Sequence, residues 1–260
     1  MSGGSRFPVA CCAASCPLDP SAMCTVTALR RADGWLVTMN RDERRDRPDG
    51  EPPFHWGRPD MLAPRDPEAG GTWIGVRPDG VWACLLNAYL TEAEELPIPE
   101  PQSRGRIIPS LLASDDPAAL LRAIEFERTH GFRLWLGGPE GVLEFLWDQR
   151  RLQETPIQDD QWAFVTSSLY EREVVLKARG EAYEKWRGEG APFADNGLPA
   201  LHLERYGLEP THAMLMARPM SKTRSITQIE IAGDTIAMRH WPEGGFEAAS
   251  AASVQMERRA

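Results

Sequence analysis

Cysteine is scarce in this sequence and unevenly placed. Of five cysteines, Cys11, Cys12 and Cys16 fall within the first 16 residues, which leaves Cys24 and Cys84 for the body of the chain. Two cysteines make no disulfide framework, so a reducing, cytoplasmic setting is expected. Long apolar runs are missing as well; none approaches the roughly 20 residues that a membrane span requires. Basic charge is in deficit: 29 Lys and Arg against 38 Asp and Glu give a net charge of -9. Such a surface is a poor match for the phosphate backbone, so no nucleic-acid partner is expected. The five histidines, His55, His130, His202, His212 and His240, include no close ligand pair. The early cysteines have no His or Cys partners to complete a ligand set, so no metal is expected. No GxxxxGKS/T phosphate loop occurs.

Hydrophobic residues make up 42% and charged residues 26%, as in an ordinary globular protein. Residues 1–22 show no sustained periodicity and read as a disordered extension, or as a stretch ahead of a true start at Met23. Residues 23–245 read as a single domain. The Ala/Ser-rich stretch 246–260 reads as a flexible tail.

Within the domain, Cys24 to Arg30 and Trp35 to Asn40 predict a hairpin around Asp33-Gly34. A Pro/Gly-rich loop spans 48–67. A second hairpin pairs Thr72 to Val76 with Val81 to Asn87, and an acidic loop covers 91–101. Helices are predicted from Arg104 to Leu112 and after the Asp116-Pro117 cap. A third hairpin joins Phe132 to Leu136 with Val142 to Trp147, and Trp162 to Thr166 is a further strand. Leu169 to Trp186 predicts a long helix, with Val175, Ala178, Ala182 and Trp186 on its apolar side. Ser168 is its expected N-cap. A short helix at 199–205 precedes strands at 213–217, 223–231 and 235–241. Hairpins and helices come in blocks without βαβ alternation, which indicates an α+β fold with antiparallel sheets.

Chemistry centres on Cys24. Methionine is readily removed before a small residue, and loss of Met23 leaves a free α-amine beside the thiol. The amine ordinarily titrates at about 7.7–8.0 and is able to take the thiol proton, so one residue carries nucleophile and base. Taken by itself, Cys24 reads first as a small apolar residue in a buried strand. Asn40-Arg41-Asp42-Glu43 closes the second strand, with Asn40 and Asp42 on one face and Arg41 and Glu43 on the other. Asp42 or Glu43 suits a protonated amine, and Arg41 suits a carboxylate or the thiolate. Asn87, ending a buried strand, is a candidate amide donor to an oxyanion. Thr223, Ser225 and Thr227 give a polar strand face, with Arg224 on the other side.

Met23-Cys24, Asn40 to Glu43 followed by Arg47-Pro48, Trp56, Gly70 to Gly75, Gly80, Leu86-Asn87 and Ser103-Arg104-Gly105 together resemble the NRDE family, also called the transport and Golgi organisation protein 2 family. The resemblance implies a four-layer αββα sandwich like that of N-terminal nucleophile hydrolases, with the choloylglycine hydrolase and penicillin V acylase group as its characterised relatives. By that likeness Cys24 is the nucleophile of a C–N amidohydrolase, Asn87 supports the oxyanion, and Arg41 and Asp42 orient amine and thiol. That group spaces its Arg and Asp three apart; here Asn40 and Glu43 have that spacing, while Arg41 and Asp42 are adjacent. Its second active-site asparagine falls near Ser167, which has no amide donor. Glu43, Ser167 and Arg224 are the expected substrate contacts. Family members are linked to haem and lipid handling, so the alternative is a non-catalytic protein that binds haem or a lipid-like ligand where the enzyme would take a small-molecule amide. No resident cofactor is implied.

Overall fold

The computed structural model describes residues 23–89, 96–158, 162–248 and 251–259. The expectations for residues 1–22 and for part of the acidic loop lie outside them. In chain order the strands are β1 (Cys24–Arg31), β2 (Gly34–Arg44), β3 (Glu51–His55), β4 (Leu62–Arg65), β5 (Ile74–Val76), β6 (Trp82–Asn87), β7 (Phe132–Gly138), β8 (Gly141–Trp147), β9 (Leu152–Ile157), β10 (Trp162–Thr166), β11 (Ser221–Ala232), β12 (Thr235–Pro242) and β13 (Ala252–Glu257). The helices are α1 (Ile107–Leu112), α2 (Pro117–Ala123) and α3 (Arg172–Gly188).

Among the described residues these strands form two antiparallel sheets. The first runs β10-β1-β2-β11-β12-β13 and the second β3-β4-β5-β6-β7-β8-β9. Their inner faces meet in one apolar core that includes Val26, Val37, Met39, Ile74, Trp82, Trp135 and Ile229. α1 and α2 cover the outer face of the second sheet through Ile108, Leu111, Leu112 and Leu121. α3 covers the first through Ala182, Tyr183 and Trp186, packed on Trp162. The layering is therefore α, β, β, α, as the resemblance implied. Strand alternation sorts the residues of β1: Cys24, Val26 and Ala28 face the inter-sheet core, while Thr25 turns to Arg179 of α3 and Thr27 to His202. The β1–β2 hairpin places Cys24 opposite Arg41 and closes where Gly34 meets β11. A Cβ at Gly34 would stand 2.1 Å from the Ile231 carbonyl oxygen, so the strands approach this closely only with glycine there.

Several elements differ from the sequence expectation. The stretch 48–67 holds β3 and β4. Pro52 and Pro53 fit because β3 is an edge strand, with no ladder bond needed on its free side. β9 carries Pro156 and is also an edge; none of its residues is buried, so it gives no apolar alternation to read. The expected tail contains β13, paired with β12 from Thr235↔Glu257 to His240↔Ala252, and its Val254 and Met256 pack on the core. Residues 213–217 form no strand beyond the single bridge Ala217↔Lys222, because their backbone groups bond elsewhere: Met216 N–H donates to Thr223 Oγ1 and Met214 O accepts from Asn40. The helix at 199–205 shrinks to a 3-10 turn, Ala200–His202. Pro109 is compatible with α1 because it lies in the first turn, where the N–H has no intrahelical acceptor.

Candidate active site

Cys24 is held by its backbone from both sides. Its N–H donates to Ser167 Oγ at 3.3 Å, and its carbonyl accepts from Ser167 N–H at 3.0 Å and Thr166 Oγ1 at 3.1 Å. Met23 is fully buried against Val175 and Met216, and its carbonyl accepts from the Asp42 N–H at 3.0 Å. Burial pushes the Cys24 thiol up to about 12, and the Asp42 charge adds to the rise. The Asp42 backbone N–H and the Arg41 charge act the other way but do not compensate. With Met23 attached, this sulfur is a thiol, not a thiolate, at neutral pH.

Successive residues of β2 point in opposite directions and do different things. Arg41 lies over the Trp73 ring at 4.6 Å, with Nη2 3.3 Å from Asp66 Oδ2 and 3.5 Å from Glu43 Oε2. Arg47 joins the same group, 2.9 Å from Asp66 Oδ2 and 3.6 Å from Glu43 Oε2. Asp42 faces α3: its Oδ1 accepts from Thr223 Oγ1 at 2.6 Å, and its Oδ2 lies 3.8 Å from Arg179 Nη2 with no hydrogen-bond partner among the described residues. Burial pushes the Asp42 carboxyl up to about 7, against the pull of Arg179 and Thr223. Asn40 shares that side but braces the fold. Its Nδ2 donates to His202 O at 3.1 Å and Met214 O at 3.0 Å, and its Oδ1 meets His202 Nδ1 at 2.6 Å.

A cleft of about 490 Å³ opens over Cys24. Arg41, Asp42, Glu43, Trp73, Asn87, Tyr89, Arg104 and His130 are among its walls. Asn87 reaches it from the end of β6, where its Nδ2 donates to Tyr89 Oη at 2.9 Å. The structure thus gathers Cys24, Arg41, Asp42, Glu43 and Asn87 around one cavity, with Ser167 behind the Cys24 nitrogen. Asn40 and Arg224 lie apart from it. Arg224 fastens the loop after β2, bonding Glu243 Oε2 at 3.0 Å and Arg47 O at 3.2 Å and pairing with Asp49. Ser168 is not the cap of α3, since its Oγ donates to Tyr170 O and Glu171 occupies the cap position.

Two buried arginines escaped the sequence reading. Arg179 donates through Nε to His212 O at 2.8 Å, through Nη1 to Thr25 and Thr166 Oγ1 at 2.9 and 2.8 Å, and through Nη2 to Ala213 O at 2.5 Å. Burial lowers its pKa to about 10. Its signal was present: Val175, Arg179, Ala182 and Trp186 form the buried stripe of α3, so an arginine stands at a core position. Arg218 carries no comparable periodic mark. Among the described residues no group of three or more His, Cys, Asp and Glu is placed to hold a metal, and no helix is long and apolar enough to cross a membrane.

Compared with known proteins, residues 23–180 match the family model described as Transport and Golgi organisation 2, more than half of the chain. The chain belongs to the Transport and Golgi organisation 2 family. A mouse member, Transport and Golgi organization 2 homolog, is 32% identical over 96 residues, which cover 35% of this chain and 33% of the mouse protein. The chain therefore aligns with about a third of that relative. A Caenorhabditis elegans N-acylethanolamine-hydrolyzing acid amidase (NAAA) ortholog is similar in structure, with 11% identity and a TM-score of 0.48 over 89% of this chain and 99% of that one.

Proposed function

We propose that this family member is a cysteine amidohydrolase whose working form begins at Cys24. The observation that carries the reading is the placement of polar groups around the Cys24 nitrogen. Ser167 Oγ accepts from it, and Asp42, whose Oδ2 has no hydrogen-bond partner among the described residues, lines the same cleft as Cys24. A peptide nitrogen needs one acceptor; an α-ammonium has three donors, and Asp42, a wall of the same cleft, is proposed as its second acceptor. His202 and His240 are committed elsewhere. His202 bonds Asn40 and Thr27, His240 bonds Thr227, and burial lowers them to about 3 and about 4.

In the reaction the free amine takes the thiol proton and the thiolate attacks the amide carbonyl. Asn87 Nδ2, which has a second N–H besides the one given to Tyr89, stabilises the developing oxyanion. The amine leaving group departs protonated, and water then cleaves the thioester, restoring thiol and amine. Arg41 holds the cleft wall through Trp73, Asp66 and Glu43 and supplies positive potential to the sulfur.

The test is a chain starting at Cys24, confirmed by intact mass and assayed on a panel of N-acyl amides. Turnover by that chain, lost in Cys24→Ala, is expected. Equal turnover by protein still carrying Met23 rules the mechanism out.

A second reading is favoured by the raised thiol pKa of the unprocessed chain: the same cleft binds without reacting, as a carrier of haem or a lipid-like molecule. Cys24 Sγ and His130 are the soft and imidazole donors at its walls, and Trp73, Leu85 and Tyr89 supply ring and apolar contact. A haem titration with no Soret shift, or one identical in Cys24→Ala and His130→Ala, counts against haem coordination there. The free buried thiols Cys24 and Cys84 support a reducing cytoplasm as the working location.

A further inference from the structure

Of the described residues, a working form that begins at Cys24 sheds only Met23, and Met23 is deeply set. Its side chain is fully buried and packs with Val175 of α3 and Met216. Cys24, Val26 and Ala28 face the inter-sheet core, so alternation sends Met23 to the α3 side of the sheet. The walls around it are held independently of Met23. Val175 N–H donates to Glu171 O at 2.9 Å in the first turn of α3. Met216 N–H donates to Thr223 Oγ1 at 2.9 Å, and Thr223 N–H donates back to Met216 O at 2.9 Å. Ser221 Oγ lies 3.9 Å from the Met216 sulfur. Met23 also makes one polar contact, its carbonyl accepting from the Asp42 N–H at 3.0 Å.

Loss of Met23 therefore frees an apolar space and one backbone donor together. Braced walls close only partly over such a space, and an apolar cavity stays dry until an apolar ligand fills it. The Asp42 N–H then calls for another acceptor. The space begins at the Cys24 nitrogen, to which Met23 is bonded, and Cys24 and Asp42 both line the cleft. We propose that the space filled by Met23 is the chain-binding subsite of the mature protein. It takes a straight, uncharged aliphatic chain about as long as methionine, with an oxygen at its head for the Asp42 N–H. Valine and thioether walls offer a charge no partner, and unbranched Met23 shows the shape that fits. This deepens the reading above and rests on it for the removal of Met23: the substrate becomes an amide with a short unbranched chain.

The test reads binding, not turnover. A chain beginning at position 24 keeps every strand and helix described above. With Cys24→Ala it also keeps the amine and has no nucleophile, so amides bind without being cleaved. Hexanamide copies the carbonyl and unbranched chain of Met23, acetamide has the carbonyl with a single methyl, and pivalamide carries a branched chain. Hexanamide is expected to raise Tm of this chain saturably, pivalamide less, and acetamide not at all. The full chain with Cys24→Ala, where Met23 fills the space, is expected to show no shift. Val175→Phe, which crowds the space from α3, is expected to weaken hexanamide by about tenfold in the shortened chain. If the shortened chain does not fold, xenon NMR of Met23→Gly in the full chain decides the matter. Xenon is expected to bind that variant and not the wild type. Equal shifts by acetamide and hexanamide, the same hexanamide shift in the full chain, unchanged hexanamide affinity in Val175→Phe, or no xenon bound by Met23→Gly overturns the assignment. A failed amidase assay leaves a positive hexanamide result standing, and a failed hexanamide series leaves hydrolysis of other amides standing.

Discussion

Behind β5 and β6, α1 lays Ile107, Ile108, Leu111 and Leu112 on Ala63, Ala83 and Leu85, a contact of carbon on carbon. Behind β1 and β2 the equivalent space is filled differently. α3 sends Arg179 into the sheet, where it bonds Thr25 and Thr166 and faces Asp42, and the Ala200–His202 turn brings His202 to Thr27 and Asn40. Apolar packing is non-directional and tolerates small rearrangements; a buried hydrogen-bond network is tight in position and expensive when broken. The candidate nucleophile lies on the sheet backed by the network. Thr166 and Ser167, which grip the Cys24 backbone, and Thr223, which grips Asp42, all belong to it. One layer supplies stability, the other supplies stability and alignment.

That contrast is open to attack from either side. Arg179→Met is expected to have the largest effect, a loss of about 4 kcal/mol in urea denaturation, because it leaves Asp42 and several buried oxygens without their cation. It is also expected to alter the alkylation rate of Cys24 in a chain beginning there. Leu111→Ala in the apolar layer is expected to cost about 3 kcal/mol and to leave that rate unchanged. Equal effects of the two variants on Cys24 would erase the distinction between the layers.

Titration offers a third comparison. Asp42 has a folded pKa of about 7, above the ordinary aspartate value of 3.8, because burial disfavours its charge. A raised acid binds its proton more tightly when folded, so its contribution is full below the unfolded value and is lost as pH climbs through about 7. Asp42→Asn, which preserves the oxygen that accepts from Thr223, is expected to remove that decline between pH 4 and 7 from the stability profile. An unchanged slope places Asp42 outside the titrating group. Ser167→Ala is expected to be the smallest change, about 1 kcal/mol, as it removes one long hydrogen bond to the Cys24 nitrogen.

The polar layer was also the harder one to see in the sequence. The β1–β2 and β7–β8 hairpins announced themselves through turn residues and alternation, and Cys24, Arg41, Asp42 and Asn87 were legible as an ordered set. Edge strands β3, β9 and β13 were not, because prolines and exposed side chains erase the period that buried strands display. Asn40 and Arg224 carried the right chemistry at suggestive positions, yet their hydrogen bonds run to His202, Met214, Glu243 and Arg47. Which polar residues meet one another is set by contacts such as Arg179 with Thr25, more than 150 residues apart, and no local pattern encodes that distance.

Above all, the fold around Cys24 is proposed to serve a free α-amine. The most direct measurement is the pH–rate profile of Cys24 alkylation in two proteins, the full chain and a chain beginning at Cys24, with Cys84 modification tracked by peptide mass. Slow modification of Cys24 is expected in the full chain, where burial and the Asp42 charge hold the thiol near 12. Markedly faster modification is expected in the chain beginning at Cys24, with the rise shifted toward neutral pH. Identical profiles in the two proteins would contradict a site built for the amine.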